Sequence, residues 1–207
     1  MNSLVVLSHP EPTSFAAALA RTAGDVLGTD VVDLYADGFD PRLSAADFTR
    51  RTIPDRLQPM DEQLHASRTG TFAPDLVPYI ERFQACDLLV MVQPLWWFSL
   101  PAMAKGFVDR VFANGVAYDY PAVRAWSGPL NDKRALAVFT SSYEAGDFVP
   151  GHAGPLQDVL FPLLYGTLAY TGMQVLDPFI AYAADSVDDA TRAGYLDTLR
   201  ARLTALA

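Results

Sequence analysis

The sequence predicts an α/β protein with a doubly wound, five-stranded parallel sheet in the order 2-1-3-4-5 and helices on both faces. Three observations carry this expectation. Short runs of branched apolar residues, typical of strands buried on both faces, alternate along the chain with amphipathic helical patterns. No internal repeat or low-complexity segment interrupts the alternation. The 207 residues, 51% hydrophobic and 19% charged, suffice for one sizeable core, so a single domain over 1–207 is expected. Strands separated by helices imply parallel pairing, and right-handed crossovers leave few topologies.

Ser3-Leu-Val-Val-Leu7 reads as the first strand, and Thr13 or Ser14 offers an N-cap for a helix carrying Phe15, Leu19, Ala23, Val26 and Leu27. Thr29 to Leu34 is a second strand. From Ala36 to Pro74 the chain is polar, broken by prolines and without a clear period, as expected of a long excursion with short helices. A helix from Asp75 to Gln84 turns Leu76, Ile80 and Phe83 inward and leads into the third strand, Asp87 to Val92. After Pro101 a central helix places Met103, Phe107, Val108, Val111 and Phe112 on its apolar side. Arg134 to Phe139 is the fourth strand. An apolar helix runs from about Pro155 to Thr171, interrupted or delayed by Pro162 and ended by Gly172. Gln174 to Leu176 begins the fifth strand, and Ser186 caps the last helix, with Asp189 three residues on.

A net charge of −9 argues against nucleic acid or an anionic membrane as partner, because both are gripped through surplus Lys and Arg. Between Pro101 and Arg134 the balance reverses locally (Lys105, Arg110, Arg124, Lys133 and Arg134 against Asp109, Asp119 and Asp132), which would suit an anionic cofactor. The single cysteine, Cys86, fits a reducing cytoplasm and reads as a small core hydrophobe. The N-terminal apolar run is too short for a signal peptide. No stretch approaches the ~18 to 20 apolar residues of a membrane span, so a cytoplasmic protein without membrane insertion is expected.

In such a sheet, ligands bind outside the carboxyl ends of the strands, here the loops after strands 1, 3 and 4. The first, Ser8-His9-Pro-Glu-Pro-Thr13-Ser14-Phe15, brings hydroxyls and backbone N–H groups to a helix N-terminus, which favours phosphate. Taken alone, it reads equally as ordinary N-caps and a solvated histidine. It carries neither the Gly-x-Gly-x-x-Gly fingerprint nor the Walker lysine motif. The second loop, Gln93-Pro-Leu-Trp-Trp-Phe-Ser-Leu-Pro101, sets three adjacent aromatics at a strand end, as cover for a planar ligand or as a core cap or subunit contact. The third is the small turn Thr140-Ser-Ser142. Phosphate binder, aromatic wall and small polar turn together fit a flavin.

These residues resemble the flavodoxin-like NAD(P)H:quinone oxidoreductases of the DT-diaphorase type. The resemblance runs from Val5 to the last helix, and it is most specific at His9 with Ser14-Phe15, at Pro94 to Ala102 with Lys105-Gly106 and Asp109 to Phe112, at Ala117-Tyr-Asp-Tyr120 and at Gly172 to Pro178. It implies that His9, Ser14 and Phe15 hold the flavin's phosphate and ribitol end, and that Pro94, Leu95, Trp96, Trp97 and Phe98 run along its ring. Thr140, Ser141 and Ser142 take the place of a Thr-Thr-Gly-Gly turn and lack both glycines. Of the family's tyrosine and histidine beyond that turn, His152 matches the histidine. The tyrosine's place falls at Asp147 or Phe148, with Tyr143 the nearest phenol. Gln58 and Arg192 correspond to residues on the adenine half of the cofactor, favouring FAD over FMN.

The resemblance further implies transfer of hydride from NAD(P)H through flavin N5 to a quinone or other flat two-electron acceptor, in a ping-pong cycle. It also implies a homodimer in which Tyr118 and Tyr120, alternating on an extended segment and so pointing to one side, close the partner's pocket. A flavodoxin-like electron carrier and a regulatory subunit of a potassium-efflux system share the same fold and stand as alternatives.

Overall fold

The computed structural model describes residues 1–120 and 128–206, so Arg124 lies outside the described residues. Strands β1 (Ser3–Leu7), β2 (Val31–Asp33), β3 (Leu88–Pro94) and β4 (Arg134–Thr140) pair in the parallel order β2-β1-β3-β4, with β5 (Gln174–Val175) at the edge beside β4. This is the expected order. Every residue of β3 is buried, as its unbroken apolar run requires of a central strand. Its register runs from Leu88 opposite Arg134 to Pro94 opposite Thr140, which aligns the ends of β3 and β4.

The fifth strand differs from expectation. It stops at Val175 and resumes as β6 (Phe179–Ala181), both pieces pairing with β4. Pro178 lies in the gap and has no N–H to give the ladder. Arg202, on the last helix, donates to the Asp177 and Pro178 carbonyls instead.

Among the described residues there are six α-helices: α1 (Phe15–Leu27), α2 (Pro59–Thr69), α3 (Val77–Ala85), α4 (Ala102–Val111), α5 (Leu156–Leu163) and α6 (Asp189–Thr204). The face with Val5, Leu7, Val90 and Val138 packs on α1 and α6. The other, with Leu4, Val6, Met91 and Phe139, packs on Phe83, Phe107 and Leu160 from α3, α4 and α5. The apolar run of α5 does not continue to Thr171: after Pro162 the chain winds wide over Leu164–Leu168 and tight over Ala169–Thr171, ending at the left-handed Gly172. Missing one N–H and crowding the turn before it, Pro162 disturbs the regular ladder.

Of the two caps read from the sequence, the first falls on one of its two candidates and the second differs. Ser14 caps α1, accepting from Ala17 N at 3.2 Å, while Thr13 donates to the Glu11 carboxylate. Asp188, not Ser186, caps α6, accepting from Thr191 N at 2.8 Å, because the Ser186 hydroxyl turns back to the Ala183 carbonyl. Cys86 is a core residue: burial pushes its thiol up to about 11, and its Sγ donates to Phe83 O.

The excursion between β2 and α3 is held by charge. Arg110 on α4, 4% exposed, donates to both Asp47 oxygens at 3.1 and 3.3 Å, to Asp75 and to the Asp40 carbonyl, and it lies over the Phe39 ring. Gly106 allows the contact, since a side chain there would collide with Pro41. Glu62 does similar work: burial alone would raise its pKa, but three donations from Thr52 and Ile53 lower it overall.

The four described basic residues expected to receive an anion are therefore engaged elsewhere. Besides Arg110, Lys105 pairs with Asp109, Lys133 donates to the Gln84 and Cys86 carbonyls at the end of α3, and Arg134 reaches Leu206.

Candidate functional site

Parallel strands deliver their loops to one edge, and backbone hydrogen bonds lace those loops together. Ser8 N donates to Val92 O, Leu95 N to Thr140 O at 2.8 Å, Ser141 N to Ala181 O and Ala184 N to Ser141 O, both at 2.9 Å. A cleft of about 220 Å³ lies among them. His9, Ser14 and Phe15 form its wall at the start of α1; Pro94, Leu95 and Trp96 form the wall after β3; Thr140, Ser141 and Ser142 form the wall after β4. All nine were expected from the sequence. Ala16, Ala184 and Asp185 complete the lining and were not. The last two follow β6, so finding them required seeing that the fifth strand resumes after Pro178.

Among the described residues no Lys or Arg lines the cleft, and Asp185 adds a carboxylate to its rim. Attraction for an anion must therefore come from the start of α1, whose first-turn N–H groups have no intrahelical partner and whose first turn holds no acidic residue. The loop before it is fixed locally. His9 Nδ1 accepts from Glu11 N at 3.0 Å, which leaves Nε2 as the protonated nitrogen of the neutral ring. The Glu11 carboxylate, its pKa lowered chiefly by the Thr13 hydroxyl, holds Thr13 Oγ1 and N. The His9 ring sits 5.7 Å from Trp96.

The aromatic loop is a tight turn. Ser99 N donates to Trp96 O at 2.9 Å, and the two residues between, Trp97 and Phe98, have φ of 49° and 55°. Two left-handed residues in succession form the turn that Asn-Gly normally supplies, and bulky residues there are strained. With Ala183 these are the only non-glycine residues of positive φ among the described residues, and all three stand in loops bounding the cleft. Strain of this kind clusters at binding sites because the surrounding structure must enforce it.

The turn sorts its three rings. Trp96 faces the cleft, while Trp97 stands 95% exposed. Phe98 lies 5.5 Å from the Tyr143 ring, which meets His152 edge-on at 5.7 Å, and the Asp147 carboxylate is 3.4 Å from His152 Nδ1. Tyr143 and His152, paired from the sequence, are thus neighbours beside the aromatic turn. Of the two positions open for the expected tyrosine, Asp147 brings its carboxylate to the histidine and Phe148 meets the Tyr143 ring edge-on at 6.1 Å.

The remaining expected residues do not line this cleft. Arg192 comes near it: Nε donates to the carbonyl of Ala184 on the rim, and Nη1 pairs with Asp189. Gln58 precedes α2, and Tyr118 and Tyr120 follow α4. The two tyrosines do not share one environment as their alternation implied. Tyr118 packs on the core, its hydroxyl 3.5 Å from Gln63 Oε1, whereas Tyr120 is exposed.

Sheet order, the strand-edge cleft and the helix start that opens on it define a flavodoxin-fold protein, and the model of the flavodoxin-like fold family matches residues 1–203. More narrowly, the chain belongs to the flavodoxin-like NAD(P)H:quinone oxidoreductase family. It is 35% identical to NAD(P)H dehydrogenase (quinone) 1 of Cavia porcellus over 97% of this chain and 75% of that protein. It is 34% identical to ribosyldihydronicotinamide dehydrogenase (quinone) of Pongo abelii, over 97% and 89%. Among solved structures, a Klebsiella pneumoniae protein assigned as a quinone reductase superposes with a TM-score of 0.91 at 33% identity, covering all of this chain and 85% of that one.

Proposed function

We propose that this protein is a flavin-dependent oxidoreductase that reduces quinones at the expense of NAD(P)H. The observation that carries the proposal is the cleft itself, with a helix N-terminus free of acidic side chains at one end and a strained aromatic turn at the other. A flavin has a phosphate for the first and a flat ring for the second. The relatives' names, NAD(P)H dehydrogenase (quinone) and ribosyldihydronicotinamide dehydrogenase (quinone), support the same chemistry.

A bound flavin would supply the redox step, taking a hydride from NAD(P)H and passing two electrons to a flat acceptor in a ping-pong cycle. The chain's own residues bind and orient. The first turn of α1, with His9 and Ser14, would hold the phosphate, and Pro94 to Phe98 would set the plane of the ring. His152, held by Asp147 beside Tyr143, offers a proton donor at the acceptor side. Arg192, anchored at the rim through Ala184, favours a dinucleotide such as FAD over FMN, with Gln58 as its second contact. Tyr118 and Tyr120 are assigned to the acceptor pocket of a homodimer, Tyr120 as the exposed contact.

Purified protein should be yellow, release FAD identifiable by mass, and oxidise NAD(P)H with quinone in initial-rate plots of parallel lines. A protein left colourless after incubation with excess FAD and FMN overturns the proposal.

A further inference from the structure

A second buried polar cluster lies away from the cleft, between α2 and the chain that follows α4. Its centre is Asn114, 1% exposed. Asn114 Oδ1 accepts from Tyr120 N at 3.0 Å, and its Nδ2 donates to Tyr120 O and to Met60 O, both at 3.2 Å. Its own N–H donates to Gln63 Oε1 at 3.2 Å, and Gln63 Nε2 donates to Asp109 O at 3.1 Å. One side chain thus holds both backbone groups of Tyr120 and joins them to the first turn of α2, two residues from Gln58. The next residue, Gly115, has φ of 84°, and a Cβ there would collide with Ser67 of α2.

The chemistry is particular to an amide. Aspartate has the shape but no donors, so its oxygens would face the Tyr120 and Met60 carbonyls. Serine has one donor and a shorter reach, and alanine takes the side-chain partner from the Tyr120 N–H and from the Tyr120 and Met60 carbonyls. The effort is spent on a residue that is 55% exposed. Fixing the backbone of an exposed phenol so firmly serves contact with something outside.

We propose that Asn114 is a positioning residue for the electron acceptor. It fixes Tyr120 where the phenol meets the acceptor and couples that position to the start of α2. The proposal rests on the reading above that Tyr120 touches the acceptor. Ordering Tyr120 before the acceptor arrives removes an entropic cost from binding, so losing the clamp weakens acceptor binding rather than the chemistry that follows.

The test compares Asn114→Ala, Asn114→Ser, Tyr120→Ala and the double variant Asn114→Ala with Tyr120→Ala, each at measured flavin content, with a quinone as acceptor. Expected is a several-fold rise in acceptor KM in the Asn114 variants, on the order of that in Tyr120→Ala, with kcat changed less than KM. The double variant should be no worse than Tyr120→Ala alone, because both changes remove one contact. A wild-type KM in flavin-loaded Asn114 variants while Tyr120→Ala raises it, or additive effects in the double variant, overturns the proposal. A normal KM in Tyr120→Ala sinks the underlying reading and the proposal with it, while leaving the flavin assignment standing. If the variants do not fold, amide exchange of the Tyr120 N–H in the unmodified protein decides: protection is required, and exchange at the rate of an open loop is a refutation.

Discussion

Trp97 separates the backbone's interest from the side chain's. Its φ of 49° is costly for any residue with a Cβ, yet its ring is 95% exposed and adds little to the fold of a single chain. Glycine is the one residue without that cost. Trp97→Gly is therefore expected to be more stable than Trp97→Ala by about 1 kcal/mol, the reverse of the usual order of the two residues in regular structure. Both variants should retain flavin less well than the parent protein, because both lose the ring. Denaturant midpoints and flavin content measure the two effects independently. A Trp97→Gly variant less stable than Trp97→Ala would show that the turn is not held in this conformation.

At the scale of elements, the polar excursion between β2 and α3 is attached to the body by one buried cation. Arg110 reaches Asp47, Asp75 and the Asp40 carbonyl from the last turn of α4, the helix that leaves the aromatic turn. Removing one partner of a buried pair leaves the other charged in an apolar setting, at a cost of about 3 to 5 kcal/mol. Arg110→Met should lower stability by that amount at unchanged m-value, and Asp47→Asn added to it should restore part of the loss. A change below about 1 kcal/mol would mean that water replaces the guanidinium freely. The sequence showed the elements that bury apolar stripes or runs, namely β1, β3, β4, α1, α3 and α4, and the order in which parallel strands must join; α2 has no apolar stripe to read. It did not show where Arg110 goes, because a charge inside an apolar helix pattern does not name its partners. Ala184 and Asp185 were hidden for a related reason: Pro178 breaks the apolar run of the edge strand, and a two-residue strand followed by a three-residue one has no period to read. The nine residues found in advance all sit at the ends of unbroken strands or the start of α1, positions that topology alone brings together.

On the scale of the whole molecule, several large apolar side chains stand at the surface. Trp97 and Tyr120 are exposed, and so is Phe161, which stacks on the half-exposed Tyr165 one turn along at 5.0 Å. Such groups commonly mark contact surfaces. A second copy is the partner the family resemblance implies, with Tyr120 completing the acceptor pocket across a two-fold axis. Charge opposes this association, since each chain carries a net −9. Attraction between apolar surfaces is not screened by salt, whereas repulsion between like-charged bodies falls off within a Debye length of about 10 Å at 0.1 M. The dimer should therefore tighten as salt rises, opposite to an assembly held by ion pairs across the interface. Sedimentation at micromolar concentration is expected to show a homodimer whose dissociation constant falls between 0.05 and 0.5 M salt, both on the order of the range over which screening changes most. Tyr120→Ala should raise acceptor KM while leaving flavin content near that of the parent, because the phenol would meet the acceptor and not the cofactor. Monomers at every salt concentration, together with unaltered kinetics in Tyr120→Ala, would refute the shared pocket and leave the cleft of the single chain as the whole active site.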